Sequence, residues 1–341
     1  EAKHRIQSFR TQIDAPDIGV DLLKEAKQLI KSYQTQIDEP ATTKSSEQAV
    51  VEALAAEGPS RASKLWAEAM LTNAAPTPHV AALVALSEGN RLFEAASVDS
   101  ADSTQLLLDA AALYERAAKT KPDMHEALNN WGNALTQLAR RSEGDAARAL
   151  WQQALEKYDA ALKIKPDKHI SLHNSANALN ELAQVSESDT ARALWQKAFE
   201  KYNATLRLKP DMHEALIGWG DALDELAQRS EAGDARARAL QAFNKYDAAL
   251  KIEPNSYEAL NNWGYALSRL AERCNRDEAR ALLLQAIEKY QAAHQIKPDL
   301  HKVLNNWGAA LDALAQRSEG DAAIVLWHEA IEKYDAAQRI K

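Results

Sequence analysis

A single cysteine in 341 residues, Cys274, excludes an internal disulfide framework and fits a reducing compartment such as the cytoplasm. Long apolar runs are missing as well. No stretch approaches the roughly 18 consecutive apolar residues of a membrane-spanning helix, so no membrane role is expected. Glu1 is followed by no charged and then apolar run, and no leader is expected at that end. Basic charge is not in excess. Lys and Arg number 41 against 49 Asp and Glu, a net charge of −8 with both signs mixed along the chain. Proteins that hold nucleic acid by neutralising phosphates are strongly basic, so that class is excluded. Glycine and proline are scarce, at 11 and 10 residues. Ala, Leu, Glu, Lys, Gln and Arg, the strong helix formers, dominate instead, and the class they give is all-α. The chain has no glycine-rich phosphate loop and no Ser/His/Asp grouping. No enzyme activity and no cofactor are expected.

What the chain does have is a period. Pro122, Pro166, Pro210, Pro254 and Pro298 are 44 residues apart, as are Tyr114, Tyr158, Tyr202, Tyr246, Tyr290 and Tyr334. Trp131-Gly132, Trp219-Gly220, Trp263-Gly264 and Trp307-Gly308 follow the same register, with Ser175-Ala176 in the remaining slot. A fixed period of this size marks a solenoid whose units bury their apolar faces only against neighbours. Within residues 125–168, Leu128, Trp131, Leu135 and Leu138 form one apolar stripe of an amphipathic helix. Ser142 to Asp145 supply a turn. A second helix follows with Leu150, Trp151, Ala154, Leu155, Tyr158, Ala161 and Leu162 inside, and it stops before Pro166. Gly132 in mid-helix costs about 1 kcal/mol against Ala. Its recurrence implies that the missing side chain lets another helix come close.

Leu128-x2-Trp131-Gly132-x2-Leu135 followed by Ala154-x3-Tyr158-x2-Ala161-x4-Pro166 resembles the tetratricopeptide (TPR) signature. The tryptophan sits one turn later than in the usual pattern. The unit is also ten residues longer than the usual 34, which we expect both helices to share. The resemblance implies a right-handed TPR-like α-solenoid of antiparallel helix pairs. Its units are a degenerate one at 78–124, then 125–168, 169–212, 213–256, 257–300 and 301–341, behind an N-terminal helical cap or connector at 1–77. Long arrays of this kind are similar to those appended to bacterial STAND-type NTPases of antiphage defence. At the last unit Ile331, Tyr334 and Ala337 would lack a following helix, so the chain is expected to belong to a larger protein.

His125, His169, His213 and His301 share one position, but helices 8–10 Å apart cannot bring successive imidazoles onto one ion, and no metal is expected. The functional candidates lie on the polar face of the first helices, which lines the concave groove in TPR arrays. They are Asn130 and Asn133; Asn174, Asn177 and Glu181; Asp221, Asp224 and Glu225; Asn262; and Asn306. An asparagine amide donates and accepts, and so can pair with the backbone of an extended peptide. The row resembles the asparagine ladder in the TPR region of O-GlcNAc transferase. Solubility and local hydrogen bonding explain the same residues, and both readings stand at this point. Lys and Arg of the carboxylate clamp found in chaperone-binding TPR domains are missing. The carboxylates of the middle unit, with few bases nearby in sequence, predict an acidic floor for a basic partner. The expected function is a protein–protein interaction scaffold with a polypeptide or folded partner. A ligand-sensing arm of a signalling NTPase, or a non-catalytic region of a multidomain enzyme, are the alternatives.

Overall fold

A computed structural model describes residues 78–96 and 102–340. The expected cap at 1–77 lies outside the described residues. The chain divides into two compact units, 1–141 and 142–341. The first contains α1 (Pro78–Ala95), α2 (Ser103–Thr120) and α3 (His125–Arg140). The second contains α4 (Gly144–Ile164), α5 (His169–Gln184), α6 (Ser188–Leu208), α7 (His213–Gln228), α8 (Ala232–Ile252), α9 (Tyr257–Ala271), α10 (Arg276–Ile296), α11 (His301–Ala315) and α12 (Gly320–Ile340). Among the described residues every element is a helix and none is a strand.

In the second unit α5 pairs with α6, α7 with α8, α9 with α10 and α11 with α12. Each second helix also packs on the next first helix, and adjacent first helices touch. This is an all-α, TPR-like solenoid. Short turns join the two helices of a pair, which makes them antiparallel neighbours. The two do not lengthen equally: α5 and α7 have 16 residues, whereas α6, α8, α10 and α12 have 21. Three of the second helices stop for the same local reason. Lys165, Lys209 and Lys297, just before the period prolines, lie outside the helical region with φ between −133° and −136°. The proline ring bars that preceding residue from the helical region.

The core is aromatic at its centre and alanine-rich around it. Tyr158, Tyr202, Tyr246 and Tyr290 are fully buried. The recurrent glycine faces this tyrosine. A Cβ at Gly220 would lie 2.6 Å from Tyr246 Cε1, and at Gly264 2.8 Å from Tyr290 Cε1. The close approach inferred from sequence is therefore that of a ring to a bare α-carbon.

Arginines lock neighbouring pairs together at the hairpin tips. The last carbonyls of a helix have no partner within it and carry its negative dipole end. Arg273 donates Nη1 to the Ala227 and Gln228 carbonyls at 3.1 and 3.2 Å, and Nη2 to that of Ser230 at 2.8 Å. Arg229 does the same one unit earlier, to the carbonyls of Ala183, Ser186 and Gln184. The end of each of these first helices is thus capped by the following unit. Arg273→Ala should lower stability by about 1–2 kcal/mol, the range of a charge-assisted bond near the surface. Hydrogen exchange should speed up in the last turn of α7 and stay unchanged in α12; uniform acceleration would show that the arginine does not act locally.

Candidate functional site

The polar wall of the second unit is built from α5, α7, α9 and α11, and its groups are tied to the core beneath. The residue after the recurrent glycine stands above the tyrosine. Tyr246 donates its hydroxyl to Asp221 Oδ1 at 2.7 Å, and Tyr202 donates to Asn177 Oδ1 at 2.6 Å. The first unit repeats this, with Tyr114 donating to Asn90 at 2.9 Å. The next first helix then adds an amide to the same acceptor. Asn262 Nδ2 donates to both oxygens of Asp221 at 3.0 and 3.1 Å, and in the first unit Asn130 Nδ2 donates to Asn90 at 2.8 Å. From α11 the chain of bonds runs on: Asn306 donates to Asn261 at 3.0 Å, and Asn261 donates to Asn262 at 3.1 Å. Such bonds polarise one another and fix the amides in place.

Of the residues singled out in the sequence, Asn262, Asn306 and Asp221 thus belong to one network. Asn177 also bonds His173 Nε2 at 3.1 Å. Asn130 lies in the first unit with Asn133, and both are half-buried, as are Asn174 and Glu181 on α5. Asn180 of the same helix is buried and accepts from Trp195 Nε1 at 2.8 Å.

The bare acidic floor does not hold. Arg269 of α9 reaches back so that its Nη1 lies 2.9 Å from Asp224 Oδ2 and 2.7 Å from Glu225 Oε1. The base is 44 residues away from Glu225, one full period, which is why a local reading of the sequence missed it. Asp224 is 4 % exposed and its Oδ1 has no hydrogen-bond partner. The guanidinium of Arg269 also lies 5.3 Å from the ring centre of Tyr265. Tyr265 is 46 % exposed and stands at the wall position that holds Asn177 and Asp221 in the preceding units. That departure from asparagine or aspartate was the signal available in the sequence. Among the described residues no group of three His, Cys, Asp or Glu could hold a metal ion.

Two stretches, 102–213 and 193–302, match the family described as the plant specific mitochondrial import receptor subunit TOM20. Together they run over more than half of the chain. The second begins 91 residues after the first, close to two periods, so the match follows the repeat itself. No curated protein matches the chain by sequence. Among solved structures it is similar to YrrB, described as a TPR protein with an unusual peptide-binding site, at 16 % identity over 67 % of this chain and 97 % of that one, with a TM-score of 0.42. TTC0263 of Thermus thermophilus, a thermophilic TPR protein, is 17 % identical over 65 % of this chain and 98 % of its own, with a TM-score of 0.46. The S. pombe nuclear import adaptor Nro1 is 13 % identical over 76 % of this chain and 94 % of its own, with a TM-score of 0.48.

Two of the wall carboxylates, Asp221 and Asp224, resist ionisation. Burial pushes Asp221 up to about 7 against the bonds from Tyr246 and Asn262, and pushes Asp224 up to about 6 against the pull of Arg269. Burial acts on His173 in the opposite sense and lowers it to about 4. A carboxyl whose folded pKa is raised stabilises the fold below its unfolded pKa near 4, and that contribution is lost as pH rises through the folded pKa. For Asp221 the window is therefore pH 4 to about 7. Its charged form burdens the fold above it. Asparagine already does the same work at position 177, bonded to Tyr202. Asp221→Asn should therefore raise stability at pH 8 by roughly 1–2 kcal/mol, with the gain shrinking towards pH 4. Urea midpoints at pH 8, 6 and 4 check this; a gain that is equal at all three would mean that ionisation of Asp221 is not its source.

Proposed function

We propose a non-catalytic role, recognition of a polypeptide, for a chain that belongs to the family of the plant specific mitochondrial import receptor subunit TOM20 by a match over more than half its length. The plant and the mitochondrion in that description are those of the family's named member. A receptor subunit has a binding role, and this reading agrees with it. In this proposal the chain is a protein-interaction scaffold, a TPR-type array with units lengthened to 44 residues. It holds an extended segment along the first-helix wall of α5, α7, α9 and α11. The lone Cys274 favours a reducing compartment, the cytoplasm, as the setting.

The observation that carries the reading is Tyr265, an exposed aromatic ring held against Arg269, which is itself fixed by Asp224 and Glu225. Tyrosine and arginine dominate the binding energy of protein interfaces, because a rigid ring and a planar guanidinium bury area at little entropic cost. Around this centre the wall of the second unit offers Asn174, Asn177, Glu181, Asp221, Glu225, Asn262 and Asn306; Asn130 and Asn133 are the corresponding candidates of the first unit, taken by itself. Asn306 spends one N–H on Asn261, and an amide carries two, so it can still pair with a partner's main chain. Arg269 neutralises much of the acidic middle, so the segment need not be basic.

Selection from a displayed library of unstructured peptides, with the intact chain as bait, tests the proposal. Calorimetry on a selected peptide should show at least tenfold weaker binding to Tyr265→Ala, about 1.4 kcal/mol. Glu288→Lys on the exposed face of α10 should leave affinity within twofold. Amide shifts on binding should fall on α5, α7 and α9. A library that yields no binder, or peptides that keep full affinity for Tyr265→Ala and shift only second-helix residues, would sink the reading.

A further inference from the structure

The indoles of the first helices occupy a defined slot. Trp219 stacks on Phe199 of the preceding second helix at 6.2 Å and 23°, with Lys245 of its own pair 3.4 Å from its ring centre. Trp263 repeats the arrangement with Phe243 at 6.3 Å and 29°, and with Lys289 at 3.9 Å. Trp307 carries Lys333 at 4.2 Å. One period before Trp219 the residue is Ser175, and the rest of the slot is still in place. Leu155 of α4 stands where Phe199 and Phe243 stand, and Lys201 stands where the stacking lysines stand. With no ring beneath it, Lys201 reaches Asp159 at 2.8 Å instead.

Beside Ser175 lies an open cavity of about 800 Å³ between α4, α5 and α6, lined by Leu155, Leu162, Leu172, Leu179 and Leu194 together with the charged Glu156, Asp159, Lys197, Glu200 and Lys201. That volume lies within the range of small-molecule sites, about 300–1,000 Å³. Ser175 is 0 % exposed, and its buried Oγ has no hydrogen-bond partner. An unmet hydroxyl in an apolar site costs free energy, and a ligand atom that bonds it recovers that cost. Ser175, Leu172, Leu179 and Leu182 lie at three- and four-residue steps on one face of α5. Asn174, Asn177 and Glu181 occupy the opposite one. The cavity is thus separate from the wall assigned to the polypeptide.

We propose that this cavity binds a flat aromatic ring of the indole class. In the bound state the ring would lie against Leu155, its polar atom would bond Ser175 Oγ, and Lys201 would turn from Asp159 to cover its face, as Lys245 and Lys289 cover Trp219 and Trp263. The ring could arrive as a free small molecule or as a tryptophan side chain of another polypeptide. The chemistry is shared, and the two sources separate in the test.

The test uses the full chain with leucine methyls labelled, titrated in parallel with indole and with the peptide Ala-Ala-Trp-Ala-Ala. Saturable shifts are expected at Leu155, Leu172, Leu179 and Leu194, and none at Leu260, which occupies the Leu172 position beside the filled slot of Trp263. Tighter binding of indole points to a small molecule, and tighter binding of the peptide to a side chain. Ser175→Trp should weaken both at least tenfold and raise Tm. Leu155→Trp fills the slot from the other wall and serves if the first variant does not fold. Ser175→Ala should weaken indole several-fold and leave naphthalene, which has no N–H, unchanged. No saturable shift up to the solubility limit of indole, equal shifts at Leu260, or undiminished binding in the filled variants would each overturn the proposal.

Discussion

A tyrosine ring laid on a bare α-carbon sets the spacing of every complete helix pair in the second unit except the first. At Gly220, Gly264 and Gly308 a methyl group would sit at 2.6 to 2.8 Å from the facing ring. Contacts that short are not tolerated in a close-packed interior, so the first helix approaches the second at a distance only glycine permits. The same approach carries the hydroxyl through to the polar side, where Tyr246 meets Asp221. Core packing and the outward wall are therefore one construction. The pair α5–α6 departs from the rule and compensates nearby. Ala176 replaces the glycine, and the end of Tyr202 runs up to Gly218 of the next first helix, where a Cβ would meet the hydroxyl at 2.8 Å. The glycine has moved from one side of the ring to the other.

The polar wall then takes on two tasks that compete for the same groups. Asn261, Asn262 and Asn306 join successive first helices, a structural use of amides that also suit peptide recognition. Amides committed to one another are preorganised, and a partner meets them without first ordering them. The carboxylates are less available. Asp224 and Glu225 hold Arg269, and Asp221 collects three donor contacts from Tyr246 and Asn262. What the wall presents most openly is Tyr265, which has no counterpart in the units on either side.

The fold was legible because period and apolar spacing are local signals. Leu128, Trp131, Leu135 and Leu138 mark a helix without reference to anything distant, and the prolines mark its partner's end. Helix lengths were less so: the ten added residues were expected to be shared, yet second helices reach 21 residues against 16 for α5 and α7. Turn residues such as Ser186 and Ser230 say where the chain bends and not how far each flank extends. The wall was legible as a set of positions and not as a set of charges. Arg269 finds Asp224 and Glu225 from the next unit, and Trp195 draws Asn180 inward. Both effects depend on which helices become neighbours, information that the single repeat does not contain.

In a repeated chain the positions that keep the period report packing, so departures from it are where particular properties arise. Trp195 donates to Asn180, and Trp327 donates to Asp312 at 3.1 Å, each across 15 residues of its own pair. In the unit directly after that of Trp195, the tryptophan position holds Ala239, and the residue that would accept from it is Asp224. The loss of that donor accounts for the unpartnered Oδ1 of Asp224, and Arg269 answers the other oxygen. With its guanidinium fixed there, Arg269 supports the ring of Tyr265. One tryptophan lost from a second helix thus recruits a base to the wall and gives an exposed aromatic its footing. The tryptophan lost from α5 at Ser175 belongs to the other side of the helix, beside an open cavity. The two absences differ in outcome because of what lay beside each ring: a carboxylate in the first case, and leucine side chains in the second.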